Sequence, residues 1–268
     1  MKTSLIFIGA DISKESIDFV EKKNPENLHV QCTNHVKPLR KYIKGMIRKN
    51  PDAIIYLAME NTGRYNWLLY LALRDLDIKT YVIPALHLKR SMGLTRGKND
   101  KIDATRIAYH LELHYKKIDQ SKAPREVISQ ITLLLSNRSS TMNMIKRLKC
   151  QLSEMEYLKK NAGLKISTQS FKGLISKLEK TIKQLEKIIQ NIINQDDVLK
   201  EAFELITSVP GVGKVLAWYT LVKTNEFRYI QDPRKLAAYA GVVPYEFSSG
   251  SSIRKKNRVS FYADKKLK

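Results

Sequence analysis

Apolar and polar positions divide the chain into three stretches of different period. In the first, apolar runs of strand length recur. Ser4 to Ala10 (SLIFIGA) is nearly continuous, the pattern of a buried strand, and Asp11 follows it. Ser16 to Val20 alternates in part, and Asn27 to Cys32 reads as a third strand. From His35 to Lys49 the apolar residues Leu39, Ile43 and Met46 fall at helical steps among polar ones, which predicts an amphipathic helix. Asp52 to Met59 (DAIIYLAM) is another continuous run, and Glu60 follows it. Asn66 to Leu76 predicts a helix rich in Leu and Tyr. Lys79 to Ile83 predicts a fifth strand, closed by Pro84, and a helix runs from the Asn99 region through His114.

The order is strand, strand, strand, helix, strand, helix, strand, helix. Three consecutive strands favour an antiparallel meander, and the later alternation favours parallel crossovers. This is the ribonuclease-H-like arrangement, an α/β domain with a mixed sheet flanked by helices, assigned here to residues 1–118.

After His114 the period becomes helical throughout. Ile131, Leu135, Met142, Ile145, Leu148, Leu152 and Met155 fall at steps of three, four and seven. Asn161-Ala162-Gly163 interrupts the run. Leu174, Leu178, Ile182, Leu185, Ile189 and Ile192 then form a heptad-like seam with Lys and Glu between them. Residues 119–198 are therefore expected to form an antiparallel helical hairpin of coiled-coil character. It serves as a spacer, as a groove for nucleic acid or, favoured by one narrow apolar stripe, as a dimerisation surface.

Residues 199–268 predict a small, mostly helical domain. Ser208-Val209-Pro210-Gly211-Val212-Gly213-Lys214 has the turn of a helix-hairpin-helix element. There Gly211, Gly213 and Lys214 offer backbone N–H groups and a cation to a phosphate, with an ordinary packing corner as the competing reading. Ser248-Ser249-Gly250-Ser251-Ser252 reads as a loop beside Arg254, Lys255, Lys256 and Arg258. It is either a flexible surface or a hydroxyl presented to a phosphodiester with cations beside it.

Charge sharpens this picture. Among 268 residues, 48 Lys and Arg oppose 26 Asp and Glu, a formal net charge of +22. Such a balance points to a polyanionic partner. No apolar run reaches the length of a membrane span, and the stretch after Met1-Lys2-Thr3 is too short for a secretory signal, so a cytoplasmic protein with no membrane partner is expected. Cys32 and Cys150 are far apart and match no zinc spacing, consistent with inert thiols in a reducing compartment.

The candidate chemistry is carboxylate chemistry. Asp100 and Asp103 are three apart, on one face of their helix, among Lys98, Lys101 and Arg106. Acids just past buried strands, as Asp11 and Glu60 are expected to be, point into the crevice where α/β sheets bind ligands. Singly, each acid has a capping, turn or helix-dipole role as its plainer reading. Together they form a candidate four-carboxylate cluster whose mutual repulsion a hard divalent cation relieves, Mg2+ foremost and Mn2+ as a substitute.

Several of these pieces occur together, in order, in a known family. Ile8-Gly9-Ala10-Asp11-Ile12-Ser13-Lys14, Met59-Glu60-Asn61-Thr62-Gly63-Arg64-Tyr65, Lys98-Asn99-Asp100-Lys101-Ile102-Asp103-Ala104, Ser208–Gly213 and Leu236–Pro244 with Ser249-Gly250 resemble the DEDD transposases of insertion sequences. These are bridge-RNA-guided recombinases related to the Piv pilin-gene invertase. The resemblance implies a RuvC-like domain with metal-binding acids at Asp11, Glu60, Asp100 and Asp103, a coiled-coil insert, and a C-terminal transposase domain. It also implies a DNA-attacking serine at Ser249, with Ser248 the neighbouring alternative. Tyr262-Ala263-Asp264 stands where the family has Gly-Asn, and the family continues beyond the position of Lys268, so an incomplete C-terminal domain is expected.

The resulting expectation is a recombinase that cuts and rejoins DNA through a serine–DNA link. Its partners are DNA and a structured guide RNA, with Lys98, Lys101, Gly211, Gly213, Lys214, Arg254, Lys255, Lys256 and Arg258 on nucleic acid. It acts as a dimer or tetramer in which Ser249 of one subunit approaches the acids of another. A magnesium-dependent nuclease without a covalent step and a catalytically inactive nucleic-acid binder are the alternatives.

Overall fold

The apolar run Ser4–Ala10 forms, with two further residues, the middle strand of a five-stranded mixed sheet. The computed structural model describes residues 4–23, 26–60, 63–85, 87–88, 99–163, 165, 167–249, 253–261 and 263–268, with the backbone alone at 64, 246–249 and 253–256. The chain divides into two compact units, Met1–Ala123 and Pro124–Lys268.

In the first unit the strands are β1 (Ser4–Ile12), β2 (Ser16–Glu21), β3 (Leu28–Thr33), β4 (Ala53–Glu60) and β5 (Lys79–Ile83), in the order β3-β2-β1-β4-β5. The first three form the expected antiparallel meander, and β1, β4 and β5 run parallel. The helices are α1 (Val36–Lys49), α2 (Asn66–Leu73) and α3 (Asp100–His114).

Alternation along the strands separates two cores. Ile6, Ile8, Ala10 and Ile12 of β1 and Ile55, Leu57 and Met59 of β4 pack with Leu39, Ile43 and Met46 of α1 and Leu69 and Ala72 of α2. Phe7 of β1 and Tyr56 and Ala58 of β4 pack on the other face with Ile107 and Leu111 of α3. The sheet is therefore covered on both faces, which is why its central strands read as unbroken apolar runs. Lys22, at the end of β2, pairs with Glu112 and lies over the Tyr109 ring at 4.3 Å, fixing α3 along the sheet.

The second unit holds α4 (Glu126–Asn161), α5 (Gln169–Asn194), α6 (Asp197–Thr207), α7 (Lys214–Thr224), α8 (Pro233–Ala240) and a two-stranded antiparallel sheet, β6 (Tyr245–Ser249) with β7 (Ile253–Arg258). Most of the heptad seam is occupied within the chain. Ile182 and Ile189 of α5 are buried and Leu178, Leu185 and Ile192 partly so, whereas Leu174 is exposed and its neighbour Ile175 is buried instead. The cores they join include Ile145, Ile131 and Leu135 of α4. Ion pairs Arg138–Glu186 (2.7 Å), Lys149–Glu179 (2.8 Å) and Lys172–Glu156 (2.9 Å) tie the two helices together. The stripe expected to await a partner subunit thus meets α4.

Arg125 closes the base of this unit. Its guanidinium donates to Asp196, the N-cap of α6, at 2.7 and 3.0 Å, and to Glu226 beyond α7. Asn225, Glu226 and Phe227 all have positive φ, a left-handed turn of three non-glycine residues that this grip helps to hold. After β7, Asp264 pairs with Lys223 at 2.7 Å, its amide donates to the Tyr239 carbonyl, and Leu267 enters the core.

The segment expected as a serine loop is different. Ser248 and Ser249 are strand residues, in register with Arg254 and Ile253, and the rest of the expected loop, residues 250–252, lies outside the described residues. Aromatic Tyr245 and Phe247 at alternate positions favour the strand, and the β-branched Ile253 opens its partner.

Candidate active site

The face of the sheet that carries α3 also carries the acids. On β1, Asp11 follows Phe7 and Gly9 at two-residue steps, and on β4, Glu60 follows Tyr56 and Ala58. Both carboxylates therefore share the side of the sheet that meets α3. They belong to the last residues of their strands rather than lying just past them. The ladder between β1 and β4 runs as far as Ala10 beside Met59, one residue before each acid.

Helix α3 supplies the other two acids from its first turn. Asn99 caps it, its side-chain oxygen accepting from the Lys101 amide at 3.1 Å, so Asp100 and Asp103 are free of the capping role. Asp103 nevertheless has a local partner that the sequence pattern does not reveal. Arg106 donates to it at 2.8 Å. Lys101 is exposed on the same turn, and Lys98 lies outside the described residues.

Asp11 feels the other three acids. Burial first, then the fields of Asp100, Asp103, Glu60 and Asp18, push the Asp11 carboxyl up to about 6. No group of three His, Cys, Asp or Glu side chains among the described residues is arranged to hold a metal ion as it stands. The donor chemistry fits one: an all-carboxylate set with uncompensated charge at Asp11 suits a hard divalent cation. Asp103 would have to exchange Arg106 for such an ion.

Three supporting residues do not stand out in the sequence. Gly9 lies under the α3 backbone and admits the helix to the sheet. Asp18 is the cross-strand partner of Asp11 and is buried, accepting from Gln31 at 3.1 Å and bonded to His29 at 2.7 Å. Asn66, buried at the start of α2, donates to the Glu60 carbonyl at 2.9 Å and holds the end of β4. A polar residue inside a strand pattern was the available signal for Asp18, and an Asn opening an apolar helix was the signal for Asn66.

In the second unit, Gly211, Gly213 and Lys214 are exposed. Gly211 has φ +87, and a β-carbon on either glycine would meet open space. The Gly213 cap of α7 has no side chain to satisfy the first N–H groups. Arg258 is exposed, whereas Arg254, Lys255 and Lys256 are described by backbone alone, as is Ser249.

Residues 8–160 match a transposase family, the DEDD transposases of the IS110 type, and residues 203–268 match the transposase IS116/IS110/IS902 family. The chain belongs to the IS110-family DEDD transposases. The transposase is 27% identical to the pilin gene-inverting proteins of Moraxella bovis and Moraxella lacunata, over 99% of this chain and 80% of each relative. It is 24% identical to a putative transposase of Sinorhizobium fredii, over 93% of this chain and 67% of that protein. Membership makes the transposase an enzyme of DNA recombination. Among its described residues no helix is long and apolar enough to cross a membrane.

Proposed function

We propose that this transposase cuts and rejoins the DNA of an insertion sequence through a covalent link to Ser249, with Asp11, Glu60, Asp100 and Asp103 as the metal-binding acids of a RuvC-like domain. The observation that carries the reading is that these acids, from two strands and a helix, lie toward one face of the sheet, where burial first and then the fields of the other three push the Asp11 carboxyl up. That like-charged set is costly without a cation.

Magnesium held by these carboxylates, with manganese as a substitute, would polarise the scissile phosphodiester and favour ionisation of the attacking hydroxyl. The Ser249 oxygen attacks phosphorus, a phosphoserine bond forms as one strand bond breaks, and the departing sugar oxygen takes up a proton. Attack by a second strand's hydroxyl reverses the step and frees the serine. Ser248 is the neighbour that mutation must separate from it.

Gly211, Gly213 and Lys214 bind backbone phosphate at the mouth of α7, and Lys98, Lys101, Arg254, Lys255, Lys256 and Arg258 supply positive charge along the nucleic acid. A structured guide RNA delivers sequence choice by pairing, and the protein works as a homo-oligomer. Inversion of a pilin gene, in the names of the Moraxella relatives, is a rearrangement that the same cut-and-join chemistry accomplishes.

The experiment is cleavage of DNA carrying the element's ends, with guide RNA and Mg2+. Asp11→Asn, which removes charge and little volume, should abolish cleavage with the fold retained. Cleavage that survives in the folded variant would remove Asp11 from the site.

A further inference from the structure

The sequence of α1 marks a second nucleic-acid surface on the first unit. Helix Val36–Lys49 holds six Lys and Arg residues and no Asp or Glu. Lys37, Lys41, Lys44 and Arg48 are exposed, at steps of four, three and four. At 3.6 residues per turn those steps keep them within an arc of about 60°, opposite Leu39, Ile43 and Met46, which are buried on the sheet. The stripe is about 16 Å long at 1.5 Å per residue. None of the four has an ion-pair partner among the described residues. The elements that flank α1, namely β3 and α2, carry no acid either.

Exposed helices ordinarily intersperse both signs, and like charges at steps of three and four repel. The geometry points to a function for this arrangement: the outer face of α1 binds the phosphate backbone of a nucleic-acid duplex, on the side of the sheet away from Asp11. A duplex strand presents one phosphate per 3.4 Å of axis, so the stripe faces about five of them. Arg40 does not join it. Its guanidinium donates to the carbonyls of Ala72 and Arg74, at 3.3 and 2.8 Å, and holds the helix at a fixed rotation. Because the apolar face of α1 is buried, the helix has none to insert into a lipid surface.

This inference rests on the proposed DNA-handling function, and the experiment separates the two. In the full chain, Lys37, Lys41, Lys44 and Arg48 are all changed to Gln, a good helix former, with circular dichroism to confirm the fold. Affinity for a non-specific DNA duplex and for an RNA duplex of the same sequence is measured across salt. The expected result is a salt slope lower by about 0.9 for each phosphate that is no longer neutralised, about 3.6 for all four. A lower slope with one duplex alone tells which nucleic acid lies there and supports the inference. Replacing the three lysines by arginine should leave the slope unchanged. A wild-type slope retained by the Gln variant overturns this inference alone, whereas a wild-type chain that binds neither duplex overturns the proposed function as well. Binding to anionic lipid vesicles that falls in the Gln variant while both duplexes bind as before would assign the stripe to lipid and overturn it.

Discussion

Gly9 of β1 lies so close to Ala104 of α3 that a β-carbon on it would stand 2.0 Å from the Ala104 carbonyl oxygen, and 2.5 Å from the Ala108 amide nitrogen. Backbone meets backbone there, and no flexible side chain can give way. This approach lies two residues before Asp11 and one residue after Asp103, so the glycine sets how near the acids of the helix come to the acid of the strand. Gly9→Ala is expected to destabilise the fold by about 2 kcal/mol or more, toward the upper part of the overpacking range. In the fraction that folds, α3 is pushed outward and Mg2+ affinity falls. Thermal melting together with calorimetric titration of Mg2+ checks both effects.

The raised carboxyl of Asp11 has a consequence for stability in the absence of metal. Its folded value, about 6, lies above its ordinary value of 3.8, so the folded state binds the proton more readily. The stabilisation from that proton is fully present below about 4 and is lost as pH rises through 6. Asp11→Asn should therefore raise the melting temperature of the metal-free protein at pH 8 and give little gain at pH 4. Melting curves at the two values test this, and equal gains at both would place the strain elsewhere.

Arg125 bridges residues 71 and 101 positions away in sequence, Asp196 and Glu226. The Glu226 side chain is only 5% exposed. Truncation to Ala leaves Asp196 without its cation, leaves Glu226 with Arg228 alone at 3.7 Å, and frees the left-handed turn. A loss of about 2–3 kcal/mol is expected, at or below the lower end for breaking a buried pair, because Arg125 is itself partly exposed. Arg125→Lys should recover little, since an ammonium cannot serve two carboxylates with paired, planar hydrogen bonds. Urea denaturation of the three proteins checks the order.

The fold of the first unit was largely legible because its signals are local. Five strands and three helices follow from runs and steps in the apolar pattern, and α3 begins at Asp100 and ends at His114 as expected. What α3 faces was not legible. Strands covered on both sides lose their alternation, so nothing in Ser4–Ala10 says that Gly9 and Asp11 turn toward the helix while Ile8 and Ala10 turn away. The Asp103–Arg106 pair sits at an ordinary helical spacing, and only its geometry distinguishes it from neighbouring charges. Most of the expected seam on α5 packs, although Ile175 rather than Leu174 is the buried residue at its start, and periodicity cannot say whether the partner helix is in the same chain. The strand at Ser248 and Ser249 was hidden because serine and glycine dominate the composition there, while pairing with β7 decides the conformation.

The central claim is the covalent step, and one measurement addresses it most directly. The transposase is incubated with guide RNA, Mg2+ and DNA carrying the element's ends, then denatured and extracted with phenol, and any protein-linked DNA is mapped to a peptide. The expected result is an adduct on Ser249 that persists in Ser248→Ala and is lost in Ser249→Ala and Asp11→Asn. An adduct that persists in Ser249→Ala, or magnesium-dependent cleavage with no adduct at any stage, would contradict it.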